Sequence, residues 1–442
     1  MNPFPALALI LTSLVLICPA LLSSADAADH PYISVGQAKT KKTVIAFPDI
    51  LGAPDTAKTL HDTVVSDLQF MDLFRFIGKA AFVEPPGTGI TLERFKMTDW
   101  SSIGSEFVVK SATAREGANI VLEAYLYDVL GAKQVLAKRY IAASNDVKTL
   151  AHTFANDIVS TLTGLPGIFQ TKIAMTCERS KGHKEIFIMD YDGTNVRQIT
   201  NHRSIAMAPA WSPDGSKIAY SLYNKGRNNV KNLDLFEYDF ATNAIRMLSN
   251  RKTMNSGAAY SPNGRTIALT MNFLGNPEIF TLTAGSKDVT RLTKSMGFDV
   301  DPSWSPDGSK IVFVSTRSGP SMIFSMSADG SNVQRLTFAG KYNATPNWSP
   351  RNNKIAFSSW VDGVFDIFLM NPDGTNLERL SKGQGYNEDP FFSPDGNFVV
   401  FSSNRTGSSN IYAMNIEGSY VKRLTFGLGN CSSPKWSNPP RH

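Results

Sequence analysis

Apolar and polar residues alternate in short runs through the C-terminal part of the chain, and the runs recur at a nearly constant interval. One unit begins with Trp211-Ser-Pro-Asp-Gly. Related units begin at Tyr260, Trp304, Trp348 and Phe392, and a shortened copy begins at Trp436. The intervals are 49, 44, 44, 44 and 44 residues. Such a period, with β-branched and aromatic runs between tight turns, is typical of four-stranded propeller blades.

The two ends of the repeat region complement each other. Residues 173–200 supply the second, third and fourth strands of a blade, and residues 432–436 supply a first strand with nothing after it. The ends together complete one blade, which leaves no open sheet edge in the ring. We therefore predict an all-β propeller of six blades over residues 166–442, closed by the C-terminal strand.

Residues 28–165 lack this period and predict a separate α/β domain. Apolar stripes indicate helices over Thr56–Phe70, with Asp55 or Thr56 as the N-cap, and over Asp146–Leu162. The expected strands are Thr43–Phe47, Leu73–Ile77, Phe107–Val109, Ala118–Asp128 and Gln134–Ile141. Residues 28–42 precede the domain, and we expect them to form a polar, mobile arm.

The first 27 residues are expected to direct export. Leu7–Leu22 is almost entirely apolar, and Ala25 and Ala27 provide the small residues at alternate positions that signal peptidase recognises. We expect cleavage after Ala27. The alternative is a retained membrane anchor. It is disfavoured because the run is short and no later run reaches the ~18 apolar residues of a membrane span.

Two cysteines remain after such cleavage, and both fall in the blade that the chain ends complete. Cys177 lies on its second strand, and Cys431 lies at the start of its first strand. These strands pair antiparallel, so the cysteines should be cross-strand neighbours or one position off. An oxidising compartment permits a disulfide between them. The alternative is two free, buried thiols, and the register of the strands decides between the two.

Charge and motifs argue against several classes of function. The net charge is +6 and no basic run of five residues occurs, so an exported protein of this composition is not expected to bind nucleic acid. The chain has no His-Glu-x-x-His, Gly-x-Ser-x-Gly or phosphate-loop motif, and we expect no catalytic residue, metal or cofactor. Each Asp of a Pro-Asp-Gly turn is expected to cap the turn, and His183 and His202 are expected to be solvated loop residues.

The propeller geometry indicates which face can bind a partner. Strands alternate in direction, so the Pro-Asp-Gly turns share one face and the loops into the first strands share the other. Those loops carry the aromatic residues Phe298, Tyr342 and Tyr386. Because first strands line the channel, four polar residues should lie near its mouth: Asp301, Thr345, Glu388 and Asp389. Variable loops on a rigid ring suit protein binding, and the alternative is that they are merely solvated.

This layout resembles the TolB family of periplasmic propeller proteins. Outside the repeat, the resemblance is carried by Val44-Ile-Ala-Phe47, Asp72-Leu-Phe-Arg75, Tyr125-Leu-Tyr-Asp128, Leu162-Thr-Gly164 and Thr171-Lys-Ile-Ala174. It implies a non-enzymatic periplasmic adaptor of the Tol–Pal system that supports outer-membrane integrity and constriction at cell division. We expect a monomer with no membrane span after signal cleavage.

The resemblance also implies two partners and the residues that contact them. It places the lipoprotein Pal at the mouth of the channel, around Met254, Gly257, Val300, Asp301 and Thr345. It places the inner-membrane protein TolA on the N-terminal arm, at His30, Tyr32, Ile33 and Val35.

Two other classes of function stay open at this point. A secreted propeller lyase or hydrolase would need acids in the channel, and Asp301, Glu388 and Asp389 are the cluster that could serve. A sugar- or peptidoglycan-binding module could use the same face of the propeller.

Overall fold

The computed structural model describes residues 41–225 and 231–440 of the chain. The expected export segment, residues 1–27, and the arm up to residue 40 lie outside the described residues. The described chain forms one five-stranded sheet with helices, followed by six four-stranded antiparallel sheets. This confirms the predicted class, an α/β domain followed by a six-bladed propeller.

The N-terminal domain packs its helices on a mixed sheet of order β2-β1-β3-β4-β5. Its strands are β1 (Thr43–Ala46), β2 (Phe74–Phe76), β3 (Phe107–Glu116), β4 (Asn119–Asp128) and β5 (Lys133–Ala143). Its helices are α1 (Pro54–Phe70), α2 (Met97–Ser101) and α3 (Val147–Thr163), with a 3₁₀ turn at Lys79–Ala81. Strand β1 is parallel to both of its neighbours, and the other pairs are antiparallel.

The two long helices bury the stripes that predicted them. Leu60, Val64 and Leu68 of α1 are fully buried in the core beside Phe154 and Ile158 of α3. The predicted cap of α1 was wrong, because the helix begins at Pro54 and its N-cap position carries no side-chain hydrogen bond. Proline suits a first helical position, since the amide that it lacks would have no partner there. No helix in the described ranges is both long and apolar enough to cross a bilayer.

The propeller begins with three strands that belong to its last blade: β6 (Lys172–Ser180), β7 (His183–Asp190) and β8 (Arg197–Gln198). Blade 1 is β9 (Ala206–Trp211), β10 (Lys217–Lys225), β11 (Lys231–Asp239) and β12 (Ile245–Ser249). Blade 2 is β13 (Asn255–Tyr260), β14 (Thr266–Met271), β15 (Glu278–Thr283) and β16 (Val289–Arg291). Blade 3 is β17 (Asp299–Trp304), β18 (Lys310–Ser315), β19 (Met322–Ser327) and β20 (Gln334–Arg335).

The remaining strands complete the ring. Blade 4 is β21 (Asn343–Trp348), β22 (Ile355–Val361), β23 (Val364–Met370) and β24 (Glu378–Arg379). Blade 5 is β25 (Asn387–Phe392), β26 (Phe398–Thr406), β27 (Ser408–Asn415) and β28 (Val421–Arg423). The last strand, β29 (Asn430–Trp436), pairs with β6 to complete blade 6 in the order β29-β6-β7-β8.

The ring closure also carries a covalent bond. Cys431 on β29 lies directly opposite Cys177 on β6, and their sulfurs are 2.07 Å apart. The disulfide joins residues that are 254 positions apart in sequence and ties the last strand of the chain to the first strand of the propeller. The register, which the sequence left undecided, is therefore the one that a disulfide needs.

The Asp residues of the Pro-Asp-Gly turns are structural, as predicted. The carboxylate of Asp307 accepts hydrogen bonds from the Ser305 hydroxyl at 2.5 Å and from the Ser309 amide at 3.0 Å. Hydrogen bonds from these two serines lower the pKa of Asp307 to about 2. Asn263 takes the same place in blade 2 and accepts the same two kinds of bond.

The N-terminal domain docks on the face of the propeller that carries these turns. Phe70, at the end of α1, packs against Tyr191 and Tyr420, which lie in turns of blades 6 and 5, with ring centroids 4.9 and 6.3 Å away. The ring of Phe398, just after the Pro-Asp-Gly turn of blade 5, lies 5.1 Å from the ring of Phe70. These contacts place the described part of the N-terminal domain on the face opposite the loops into the first strands.

Candidate functional site

Every blade places one residue with a left-handed backbone on its first strand. In each first strand the pairing register with the second strand shifts at this point, which is the mark of a β-bulge. The six residues are Ala208, Gly257, Asp301, Thr345, Asp389 and Ser433, with φ values of 52, 64, 54, 48, 56 and 52°. Five of them carry a side chain in a conformation that favours glycine, and such outliers cluster where a protein binds or reacts.

These six residues, here called the bulge ring, line the channel of the propeller. The channel holds a cavity of about 420 Å³, which the first strands enclose together with the prolines that follow them. The lining includes aromatic residues such as Trp304 and Phe391, and three charged residues, Asp301, Asp389 and Lys435. The channel therefore places a few charged side chains among aromatic and proline residues.

A second cavity of about 360 Å³ opens at the mouth of the channel, on the face away from the N-terminal domain. It shares Asp301, Thr345 and Asp389 with the channel, and Glu388 and Tyr342 lie beside them. These five residues were all predicted for the site, and the structure brings them around one cavity. Phe365 and Ser358 also line it, and the sequence analysis had missed both.

The charged groups of the channel oppose one another. Burial, together with the negative charge of Asp389, raises the pKa of Asp301 to about 6, although Lys435 acts in the other direction. Burial lowers the pKa of Lys435, and Asp389 and Asp301 partly offset that shift. Burial and Asp389 likewise raise the pKa of Glu388. Two carboxylates of the mouth, Asp301 and Glu388, thus lie where burial penalises the ionised form.

Hydrogen bonds fix the bulge ring in place. One oxygen of Asp389 accepts bonds from the backbone amide of Ser433 at 3.0 Å and from its hydroxyl at 3.2 Å. The backbone amide of Asp301 donates to the Thr270 hydroxyl at 3.3 Å, and the hydroxyls of Thr345 and Ser358 are 3.0 Å apart. The contacts of Asp389 and Asp301 join blade 5 to blade 6 and blade 3 to blade 2, and that of Thr345 lies within blade 4, so the mouth is preorganised.

Aromatic side chains surround the mouth on the same face. Phe298, Tyr342 and Tyr386, all predicted, are 55, 49 and 40% exposed. The Tyr342 ring lies 5.7 Å from Phe365, and Tyr386 stacks on Trp360 at 5.9 Å. Further exposed residues of these loops, which the sequence analysis did not single out, are Met296, Phe338 and Phe426. We call this set of exposed apolar residues the aromatic arc.

Among the remaining predicted residues, Gly257 lines the channel cavity, whereas Val300 and Met254 do not line either cavity. Val300 is half-buried and packs against the core between blades 3 and 4. Met254 is half-buried in the loop before blade 2. Its backbone forms an isolated β-bridge with Leu233 on β11 of blade 1. Gly257 does join the site, since a Cβ atom there would lie 3.4 Å from Oδ1 of Asp301. The predicted residues of the arm lie outside the described part of the chain: His30, Tyr32, Ile33 and Val35.

Lys435 is a charged residue of the channel lining that the sequence analysis missed. Its ammonium lies 4.8 Å from the centre of the Phe391 ring, on the neighbouring blade. The last repeat was interpreted only as a closing strand, but Ser433-Pro-Lys-Trp436 aligns with Asp301-Pro-Ser-Trp304. In that alignment, Lys435 comes directly before Trp436, at the position that Ser303 occupies before Trp304. Both residues line the channel. Extending the repeat comparison to the shortened copy would have found it.

The predicted environments of the two histidines need correction. His183 is exposed, as expected, but it begins strand β7 and is not in a loop. His202 is half-buried rather than solvated, and its Nε2 atom lies 2.9 Å from the Tyr220 hydroxyl. Burial lowers the pKa of His202 below its usual value. The loop before blade 1 folds back on its own blade, which the polar composition of the loop did not reveal.

The described residues include no cluster of three or more His, Cys, Asp or Glu side chains that could hold a metal ion. The mouth offers hydrogen-bonding groups, carboxylates and aromatic rings on a fixed frame. Such a site can bind a projecting polar or charged group within an apolar surround.

Comparisons with known proteins cover both domains. The family model described as TolB amino-terminal domain matches residues 31–135, and the model described as TolB beta propeller domain matches residues 159–360 and 343–441. A protein from Chlorobium chlorochromatii named Protein TolB homolog is 35% identical over 311 residues, which are 69% of this chain and 68% of that protein.

A protein from Desulfosudis oleivorans named Tol-Pal system protein TolB is 34% identical over 296 residues, which are 65% of each chain. The match thus spans slightly less than two thirds of that relative. The crystal structure of TolB from Acinetobacter baumannii superposes with a TM-score of 0.79 at 24% identity and covers 90% of this chain and 97% of that one, so it supports the fold. On the matches of both family models, the chain belongs to the TolB family.

Proposed function

We propose that this protein is a non-enzymatic periplasmic adaptor of the Tol–Pal system. In this proposal, signal cleavage after Ala27 releases a monomer. Its propeller binds a Pal-like lipoprotein, and its N-terminal arm binds a TolA-like inner-membrane protein. The link would support outer-membrane integrity and constriction at cell division. Membership of the TolB family supports this assignment, as does the name Tol-Pal system protein TolB of the Desulfosudis oleivorans relative.

One observation carries the lipoprotein site. The mouth cavity opens on the face opposite the described part of the N-terminal domain, and the aromatic arc surrounds it. Exposed aromatic anchors around a preorganised polar pocket are what a protein interface requires. A partner can therefore bind to the loops before blades 3 to 6 and insert a group into the mouth.

We assign the second partner to the arm because the arm precedes β1 in sequence and is separate from the propeller loops that form the first site. Its sequence mixes aromatic and aliphatic residues, Tyr32, Ile33 and Val35, with His30. A short segment of this kind can add to a partner's sheet or groove without disturbing the propeller. One protein could thus hold both partners at once.

A pull-down from the organism's own envelope extract tests the lipoprotein site. The bait is the mature protein, residues 28–442, and the test variant is Asp301→Arg/Thr345→Arg. Asn263→Arg on the opposite face is the matched control, because Arg351 already occupies the equivalent turn position of blade 4. Wild type and control should recover a Pal-like lipoprotein, and the double variant should not. Recovery of the lipoprotein by all three proteins would show that it binds elsewhere on the protein. Recovery by none of them would overturn the proposal.

Deletion of residues 28–36 tests the arm. The shortened protein should lose a TolA-like partner from the same pull-down and keep the lipoprotein. Loss of both partners, or of neither, would contradict the division of labour between arm and propeller.

A further inference from the structure

The charges on the exposed face of the propeller are arranged in two zones. The six loops into the first strands cover residues 199–205, 250–254, 292–298, 336–342, 380–386 and 424–429, and none of them contains Asp or Glu. Five of the six contain an exposed cation: Arg203, Lys252, Lys294, Lys341 and Lys382. We call these five residues the basic rim.

The basic rim is free to interact. Within residues 41–225 and 231–440, no carboxylate oxygen lies within 4.0 Å of any of the five cationic groups. An exposed cation without an ion pair keeps its full charge for an approaching surface.

The centre of the same face has the opposite sign. Asp301, Glu388 and Asp389 meet in the mouth cavity, and Lys435 is the charged residue of opposite sign in the channel lining beneath them. When all four are ionised, the centre carries three negative charges and one positive charge, although the whole chain has a net charge of +6. The local sign therefore opposes that of the molecule.

The walls of the mouth show which cation the centre would accept. The rings of Tyr342 and Phe365 line the cavity beside the three carboxylates. Deeper in the channel, the protein already places an ammonium of its own, that of Lys435, over the Phe391 ring at 4.8 Å. A lysine or arginine side chain from outside would find the same combination of aromatic faces and carboxylates at the mouth.

We propose that the propeller mouth accepts a projecting lysine or arginine side chain of its protein partner, and that acidic residues around that side chain meet the basic rim. This inference rests on the proposed function and adds the charge pattern of the partner surface. The inserted cation would neutralise carboxylates that repel one another in the empty site. The rim would set the orientation of the partner and the rate at which it associates.

Calorimetric titration of the mature protein with the soluble domain of its Pal-like lipoprotein tests both zones. The centre variant is Asp301→Asn/Asp389→Asn, since Asn tolerates a left-handed backbone and preserves side-chain shape. The rim variant changes Lys252, Lys294, Lys341 and Lys382 to Gln. The matched control changes Lys58, Lys79, Lys96 and Lys148 of the N-terminal domain to Gln, which gives the same change in net charge.

The centre variant should bind at least about tenfold more weakly than wild type, because it removes two of the three carboxylates that face the inserted cation and leaves only Glu388. The rim variant should bind more weakly at 50 mM salt and approach wild type at 300 mM, because salt screens exposed charges. The control should match wild type. Equal or tighter binding by the centre variant would overturn the central zone, and wild-type affinity of the rim variant at 50 mM salt would overturn the outer zone.

A peptide separates failure of this inference from failure of the proposed function. If wild type binds no lipoprotein domain, the proposed function is overturned. The mouth is then judged by fluorescence polarisation with two labelled peptides, Gly-Asp-Gly-Gly-X-Gly-Gly-Asp-Gly, where X is Arg or Glu. Preference for the Arg peptide that is lost in the centre variant supports the inference. Absence of that preference in wild type overturns it.

Discussion

The hydroxyl of Tyr191 donates a 2.5 Å hydrogen bond to the carboxylate of Asp67, and this bond joins the propeller to the N-terminal domain. Asp67 lies on α1 and is only 1% exposed. Its other oxygen lies 2.8 Å from Nδ1 of His152 on α3. One buried carboxylate therefore ties together two helices and a turn of blade 6.

Tyr191→Phe should loosen this contact. The substitution keeps the aromatic packing on Phe70 but leaves one oxygen of Asp67 buried without its donor, at a cost of about 1–3 kcal/mol. Faster amide hydrogen exchange in α1 and α3 is the expected result. Tyr140→Phe is the matched control, because it removes a 2.7 Å bond to Asp157 within the N-terminal domain alone. Equal exchange changes in propeller-facing amides of both variants would contradict the assignment.

The disulfide between Cys177 and Cys431 should stabilise the closed ring. Replacing both residues by Ser should lower the free energy of unfolding by about 2–4 kcal/mol, because the unfolded chain regains the freedom of a loop that spans 254 positions. Titration of the unfolded, unreduced mature protein should find no free thiol. Two thiols per chain would show that the bond does not form.

Asp301→Asn should stabilise the free protein at neutral pH. The pKa of Asp301 is raised from 3.8 to about 6, so its contribution to stability is full below about 3.8 and is lost as the pH rises through about 6. Removing the charge should therefore raise stability at pH 7.5 by about 1–2 kcal/mol and change it little at pH 3.5. Thermal unfolding of both proteins across this range measures the difference.

Asp307 of the same blade serves as a control, because its pKa is shifted in the opposite direction from that of Asp301. Its pKa is lowered to about 2, so the stability that its carboxylate supplies is present above about 3.8 and is lost as the pH falls through about 2. Asp307→Asn should therefore not stabilise the protein at pH 7.5. A gain of stability in both variants would mean that net charge, and not the local site, is responsible.

The repeat made the fold predictable, since a fixed interval between aromatic-turn segments leaves few architectures. It also placed Asp301, Thr345 and Asp389 together, because equivalent positions of a ring lie at one depth in the channel. The wall of the mouth was harder to predict, because Phe365 lies near the start of β23, outside the first strands that line the channel, and its contact with the mouth depends on packing. The bond between Asp67 and Tyr191 could not be predicted. The two residues are 124 positions apart, and nothing in the sequence around either one indicates that they meet.

Gly257→Ala should narrow the mouth at one defined point. Gly257 has a φ of +64°, and an added methyl group would lie 3.4 Å from Oδ1 of Asp301 and 3.7 Å from the Thr270 hydroxyl. Gly215→Ala is the control, because Gly215 has a φ of +71° and nothing within 4 Å of the added atom. Both changes should cost about 1–2 kcal/mol of stability from backbone strain.

Only the change at Gly257 should also weaken binding of the Pal-like domain, by about tenfold, because its methyl group crowds the carboxylate that the partner must reach. Calorimetric titration of the two variants separates this effect from the strain that they share. Equal affinities would place the contact away from Asp301, and the aromatic arc would then have to carry the interface without the bulge ring.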